Sequence, residues 1–302
     1  MVPRLMDILL YKIFSGFFAT IGLIPRGAAI RFAGFLGRVW FVVDTRHRDV
    51  ALQNLTHVFG AEKNTAKIRK MARQIFCNLI LIIFEIAWFM RLKEKEFSKY
   101  FHVHGLHYLK TAHKKGKGVL VLTGHMGNWE LMSMAAKMLG YPMGAIYRPL
   151  DFKPLDLFFI HLRGRYGTIL YPKKNAMRPI LRGLKKGELI GIFLDQKTNA
   201  RSGVFVDFFN RKACTNKGLA LIALRMETPV VPLFLLREAD GYRVEFGPEV
   251  PVVRTGDKEN DIKMNTRQYN RVIEDVIRRY PDQWFWVHRR WKTKNPDPGK
   301  PD

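Results

Sequence analysis

Residues 119–132 read VLVLTGHMGNWELM, and this stretch places His125 and Glu130 where an apolar run meets a helical run. The run at 119–122 is short and apolar, which is typical of a buried strand. Residues 129–139 have the spacing of a helix, and Gly127 precedes that helix. The stretch therefore predicts a strand, a turn and a helix, with two groups capable of acid–base chemistry at the junction.

The same alternation of short apolar runs and helical stretches continues along the chain. Further strands are predicted at 145–147, 168–171, 189–194 and 230–236, with helices between them at 154–166, 176–186 and 217–226. Strands that alternate with helices predict an α/β fold, in which a mostly parallel central sheet is flanked by helices. The exception is YRVEF at 242–246, which follows a turn and is expected to pair antiparallel with the strand ending near 236.

The beginning of the chain is strongly apolar. Residues 5–24 form a run of about 20 residues, long enough to cross a hydrocarbon core of about 30 Å, although Asp7 and Lys12 interrupt the run. A crossing helix, an in-plane anchor and a helix packed on the body all remain open. A second apolar segment from Ile30 carries Arg31 and Arg38, which favours an interfacial helix.

These patterns predict three parts. Residues 1–45 are expected to form hydrophobic, membrane-associating helices, and 46–292 an α/β domain. The tail at 293–302 is polar and rich in proline, which is typical of a disordered segment.

The charge of the chain indicates an anionic partner. The 302 residues include 51 Lys and Arg against 26 Asp and Glu, a formal charge of +25. Nucleic acid, an anionic membrane and an acidic protein all fit, but the apolar helices favour a membrane, and no nucleic-acid motif is present. Cys77 and Cys214 have no metal-ligand spacing, so we expect two buried thiols in a reducing compartment.

Polar residues follow several of the predicted strands. His125 comes after the first, Arg148 after the second, and Asp195 with Gln196 after the run at 189–194. Because functional groups gather beyond the carboxyl ends of parallel strands, these side chains are expected to meet at one edge of the sheet.

The residue types at this edge predict general-base catalysis by a histidine, with no serine or cysteine of the protein acting as nucleophile. The imidazole of His125 can take a proton from an alcohol, while the carboxylate of Glu130 holds the ring. Gly127 and Asn128 stand at the helix start, where backbone N–H groups can hold an oxyanion or a phosphate. No serine or cysteine accompanies the pair, so a substrate hydroxyl would attack directly. The alternative is that His125 is a turn residue bonded to local backbone.

Five blocks carry a resemblance to a known family: LTGHMGNWE, YRPL, FLDQ, GVFVDFFNRKACTNKGLALIA and METPVVPLF. In this order they resemble the bacterial lipid A biosynthesis acyltransferases of the lysophospholipid acyltransferase superfamily, over almost the whole chain. The resemblance implies transfer of a fatty acyl chain from an acyl carrier protein thioester to a hydroxyl of a lipid A precursor, an anionic lipid acceptor. It also implies a location at the cytoplasmic face of the bacterial inner membrane.

The resemblance assigns roles to individual residues. In H-x-x-x-x-E, His125 would be the general base and Glu130 the residue that orients it. An arginine in HLRGRYG, Arg163 or else Arg165, would bind the acceptor's phosphate or stabilise charge. Arg148 and Asp195 match further motif positions. A thioester is already activated, so neither a cofactor nor a metal is implied.

Two rival functions and two local patterns remain. The chain could be an acyltransferase for another lysophospholipid or glycolipid, with acyl-CoA as donor, or a basic protein that binds membranes or nucleic acid without catalysis. The cluster HVHGLH at 102–107 could suggest zinc, but a surface strand with ordinary histidines is favoured. The segment WFWVHRRWK at 284–292 is expected to pack the C-terminus or contact the membrane.

Overall fold

The computed structural model describes residues 5–294 and has a seven-stranded sheet at its centre. Its strands, in spatial order, are β1 (Phe101–His104), β9 (Tyr242–Phe246), β8 (Val230–Arg237), β2 (Val119–Thr123), β5 (Leu189–Phe193), β3 (Met143–Tyr147) and β4 (Ile169–Pro172). The five strands from β8 to β4 are parallel, and β9 pairs antiparallel with β8 as predicted. The predicted α/β fold is confirmed, and most of the predicted tail lies outside the described residues.

Helices cover both faces of this sheet because neighbouring residues of a strand point to opposite sides. Val119 and Val121 pack against α5 (Leu106–His113), α6 (Met132–Leu139) and α7 (Lys153–Arg165). Leu120 and Leu122 belong to the core of the other face, with α8 (Met177–Lys185), α9 (Gly218–Met226) and α10 (Lys258–Arg279). The loops that follow β2, β5 and β3 therefore emerge at one edge between two cores.

Four helices precede the sheet: α1 (Leu5–Ile21), α2 (Arg26–Val43), α3 (Thr45–Phe59) and α4 (Thr65–Phe89). The predicted run at 5–24 is not one straight helix, because α1 ends at Ile21 and the chain turns by 116° into α2. Among the described residues, α4 is the single helix that is long and apolar enough to cross a membrane. Helices α1 and α2 reach the required length and hydropathy only when they are taken together, as a bent pair. One helix of this kind is weak support for a membrane span, since half of the apolar window of α4 is buried in the protein.

The exposed faces of α1 and α2 carry large apolar side chains. Leu5 is 85% exposed, and Phe17, Phe35 and Val43 also project into solvent. The opposite side of α1 packs on α7, where the rings of Phe18 and Phe158 stack with centroids 4.2 Å apart. These two helices thus present apolar surface that the rest of the described chain does not cover.

A two-stranded hairpin, β6 (Gly203–Phe208) and β7 (Arg211–Asn216), was not predicted. Its turn residues Phe209 and Asn210 both have positive φ, at 52° and 58°. Two-residue hairpin turns need positive φ angles, which Asn and Gly adopt readily. A phenylalanine in the sequence does not indicate such a turn. The hairpin packs on α10, and its last residue, Asn216, lines the candidate site.

Candidate active site

The carboxyl ends of β2, β5 and β3 surround a cavity of about 820 Å³. The predicted residues that line it are His125, Glu130, Arg148, Arg163 and Gln196. His125 follows β2 by two residues, Gln196 follows β5 by three, and Arg148 follows β3 directly. Neighbouring parallel strands therefore bring together side chains that are far apart in sequence, as the topology argument predicts.

Asp195 lies beneath the cavity and is fully buried against His125. Its Oδ1 is 2.8 Å from Nδ1 of the imidazole, and its Oδ2 accepts the backbone N–H of His125 at 2.9 Å. The indole N–H of Trp284 donates to the same Oδ2 at 2.8 Å. Burial alone would raise the pKa of Asp195, but the positive potential of His125 and these hydrogen bonds outweigh it and lower the pKa to about 2.

An ionised carboxylate fixes the tautomer of the histidine ring. Because a carboxylate can only accept, Nδ1 of His125 must carry the proton, which leaves the lone pair on Nε2. The ring is held laterally by Phe193 and Trp129, with centroid distances of 4.6 and 5.0 Å. A base with an oriented ring and a free nitrogen therefore lines the cavity.

The predicted hydrogen bond between Glu130 and His125 is wrong in this structure. The two oxygens of Glu130 accept from Arg163, with Nε to Oε2 at 2.9 Å and Nη2 to Oε1 at 2.8 Å. The indole N–H of Trp129 also donates to Oε1 at 3.1 Å. Arg163 comes from α7, and its fork matches a carboxylate bidentately, so it binds Glu130 more fully than one ring N–H could. Asp195 takes the orienting position expected of Glu130.

Arg163, rather than Arg165, is the arginine of α7 that lines the cavity. Burial would lower the pKa of Arg163, but the charge of Glu130 raises it above its ordinary value. Arg165 is exposed and reaches the carbonyl of Met90 at 3.5 Å. Nη1 of Arg163 is not used by Glu130, so the pair can still present a donor to an anion.

Gly127 and Asn128 do not line the cavity. The N–H of Gly127 donates to the carbonyl of Gln283 at 3.0 Å, so the expectation that it binds an oxyanion is wrong. Its φ is +56°, and a Cβ there would lie 2.2 Å from the carbonyl oxygen of Leu235, so only glycine fits. Asn128 is fully buried, and its amide donates to the carbonyl of Ile82 at 3.2 Å.

A second buried ion pair lies nearby. Glu85 of α4 accepts from Nε and Nη2 of Arg237 at 2.6 and 2.7 Å, at the end of β8. Arg237 thus supplies the countercharge that a carboxylate inside the apolar run of α4 needs when it is buried. Burial would lower the pKa of Arg237, but the surrounding Tyr242 and Glu85 hold it above its ordinary value. This pair fastens α4 to the sheet behind the cavity.

The segment at 284–292 packs against the site. Besides Trp284, it contributes Arg290, which is fully buried and donates to the carbonyl of Cys214 at 2.9 Å. Burial lowers the pKa of Arg290 to about 10, and burial lowers the pKa of His288 to about 4. The sequence predicted packing or membrane contact here, but it did not identify Trp284 as a partner of the site. The only signal was the density of tryptophan.

The cluster around His102 is explained by an ion pair. His102 Nδ1 lies 3.1 Å from Glu238 Oε2, with Asp240 close by, and the hydrogen bond that the ring N–H donates to Glu238 raises the pKa of His102. Both cysteines are buried thiols, as predicted.

Comparison with known proteins identifies the family of the chain. A family model described as bacterial lipid A biosynthesis acyltransferase matches residues 4–293. The lipid A biosynthesis palmitoleoyltransferase of Escherichia coli K12 is 29% identical over 257 residues, which is 82% of this chain and 80% of that protein. The lipid A biosynthesis lauroyltransferase of the same organism is 25% identical over 90% of this chain and 87% of its own. A lipid A biosynthesis acyltransferase of Haemophilus influenzae is 23% identical over 92% of this chain and 86% of its own. The chain belongs to the bacterial lipid A biosynthesis acyltransferase family and is an acyltransferase.

Proposed function

We propose that the protein transfers a fatty acyl chain from an acyl carrier protein thioester to a hydroxyl of a lipid A precursor, at the cytoplasmic face of the inner membrane. Family membership supports acyl transfer onto lipid A. The observation that carries the mechanism is the buried carboxylate of Asp195 at 2.8 Å from Nδ1 of His125, which leaves Nε2 as a base in the cavity.

The reaction needs one proton acceptor and no protein nucleophile. Nε2 of His125 takes the proton of the acceptor hydroxyl while the oxygen attacks the thioester carbonyl. The tetrahedral intermediate collapses and the carbon–sulfur bond breaks. The leaving sulfur takes the proton from Nε2 of the imidazolium, so the carrier departs as a thiol and the neutral base is restored. The charge of Asp195 stabilises the cationic ring between these two steps.

Cations at the cavity suit a phosphorylated acceptor. Arg163 is held by Glu130 through Nε and Nη2, which leaves its Nη1 unused by that pair, and Arg148 lines the same space. A guanidinium binds phosphate oxygens in a directed way, so these arginines would place the acceptor hydroxyl relative to His125. In this role Glu130 is a positioning residue for Arg163.

Apolar walls suit the acyl chains. Ile192 of β5, Ile180 of α8 and Ile222 of α9 line the cavity, and all three are buried. The exposed apolar faces of α1 and α2 would enter the membrane that supplies the acceptor, with basic residues at the headgroups.

The test is acyl transfer by the purified protein in mixed micelles, followed by mass spectrometry. Acyl carrier protein and CoA thioesters are compared as donors, with a lipid A precursor and a lysophospholipid as acceptors. We expect the carrier thioester and the lipid A precursor to be preferred, and His125→Ala to abolish transfer while the fold is retained. Preference for CoA or for the lysophospholipid would contradict the proposed substrates, and an active His125→Ala variant would contradict the mechanism.

A further inference from the structure

Helix α8 presents a row of positive charge. Arg178, Arg182 and Lys185 are spaced by four and three residues, so they share one face of the helix, and all three are exposed. We call these three residues the α8 stripe. The segment 172–187 contains no Asp or Glu, but it also contains the exposed Lys173, Lys174 and Lys186.

The stripe has no ion-pair partner within residues 5–294. Lys115 and Lys117 differ from the stripe, since they bind Glu249 at 2.7 Å and Glu227 at 2.8 Å. Like charges on one helix face repel each other. An anionic surface that covers the stripe would relieve this repulsion.

An apolar cleft adjoins the stripe. Its volume is about 730 Å³, and its apolar lining consists of Met177 of α8 with Leu221 and Leu224 of α9. Residues of the segment 254–261, among them Asp261, also line it. The exposed cations Arg225 and Lys258 also border it. An apolar centre with a charged rim is the usual composition of a protein interface.

The cleft and the active-site cavity share a wall. Met177 lines both of them and is 40% exposed, and Lys173 at the start of the same segment lines the cavity. A partner bound on the stripe and the cleft would thus lie beside the mouth that leads to His125.

We propose that the α8 stripe and this cleft are the docking surface for the acidic carrier protein that delivers the acyl thioester. This inference rests on the proposed donor. An anionic protein with a small apolar contact fits both the charge and the cleft, and docking there brings a tethered thioester to the cavity.

A membrane fits this surface less well. The large exposed apolar side chains that lipid insertion needs lie on α1 and α2, and α1 packs on α7 at the opposite face of the sheet from α8. Within 172–187, Met177 is the large apolar side chain exposed to solvent. The stripe is therefore assigned to a protein and not to lipid.

The experiment compares two charge-removing double variants. The first is Arg178→Gln with Arg182→Gln, which leaves every residue that lines the cavity unchanged. The matched control is Lys110→Gln with Lys114→Gln, also two exposed cations four residues apart, at the end of α5. Each is assayed with acyl carrier protein thioester and with acyl-pantetheine, which carries the same thioester without a protein. Binding of carrier protein without an acyl group is measured separately by anisotropy.

We expect the α8 variant to raise both KM for the carrier thioester and Kd for the carrier about tenfold, because charges at an interface rim act on encounter and affinity. Rates with acyl-pantetheine should change by less than about twofold, as should all values for the control. The native KM for the carrier should rise with salt, whereas the α8 variant should respond less.

Three results would overturn the assignment. Equal effects of the two double variants would show that the carrier responds to the total positive charge of the protein and not to the α8 stripe. Loss of binding to phosphatidylglycerol vesicles, with KM for the carrier unchanged, would assign the stripe to the membrane. Absence of carrier binding by the native protein would remove the partner, and continued transfer from acyl-pantetheine would then show that the chemistry survives without it. Absence of transfer from either donor would refute the proposed function, while the binding measurement would still decide the docking surface.

Discussion

The most decisive perturbation is Asp195→Asn, because it changes the charge of one buried group and almost nothing of its shape. Oδ2 accepts two N–H groups, from the backbone of His125 and from Trp284, so the amide oxygen is expected to take that place. The amide nitrogen then stands 2.8 Å from Nδ1, where it can only donate. Nδ1 must become the acceptor, which moves the ring proton to Nε2 and removes the base.

The size of the effect follows from this change of tautomer. In hydrolases with a His–Asp pair, the same exchange lowers kcat about 10⁴-fold, or about 5 kcal/mol of activation free energy, and we expect a loss of this order. Stability should change little, because both N–H groups keep an acceptor. Asp195→Ala leaves both without one, at a cost of about 1–3 kcal/mol each.

The assay is the initial rate of acyl transfer to the lipid A precursor, with thermal unfolding measured on the same samples. Glu130→Gln is the matched control, since it neutralises the other carboxylate near the site. It should raise KM for the acceptor through Arg163 more than it lowers kcat. If Asp195→Asn keeps kcat within about tenfold of the native value while Glu130→Gln loses about 10³-fold or more, then Glu130 is the partner of the base during turnover and the reasoning here is refuted.

Three further predictions concern the surroundings of the site. Arg163→Lys should raise KM for the phosphorylated acceptor about tenfold in steady-state kinetics, because an ammonium cannot reproduce the bidentate contact; an unchanged KM would exclude Arg163 from acceptor binding. Trp284→Phe should cost about 1–2 kcal/mol in denaturant unfolding, because Asp195 loses one donor, and it should lower kcat; a variant as active and stable as the native protein would show that the indole contact is dispensable. The pKa of His288 is lowered by burial from 6.5 to about 4, so the unfolded chain binds more protons between these values and the free energy of unfolding should fall by up to about 3 kcal/mol as pH drops through this window. This pH dependence should be weaker in His288→Gln, and an identical slope in both proteins would contradict the assignment.

The architecture could be predicted because its signals are local. Short apolar runs separated by helical stretches are enough to specify parallel strands, and the residues after those strands are then expected at one edge. For this reason His125, Arg148, Asp195 and Gln196 were expected together. The hairpin β6–β7 was missed because its turn places Phe209 at positive φ, which packing imposes against the local preference.

The sequence by itself determined that a histidine and two carboxylates would stand near one rim of an α/β sheet. Which carboxylate orients the histidine was decided only by the tertiary structure. Closeness in the sequence and the H-x-x-x-x-E pattern favoured Glu130, five residues from His125. Asp195 is 70 residues away and reaches Nδ1 because β2 and β5 are neighbours in the sheet. Arg163 of α7 donates two hydrogen bonds to Glu130, which therefore pairs with the arginine and not with His125. Contacts between side chains depend on the pairing of distant elements and on competition among donors, and neither is encoded in the local pattern of residues.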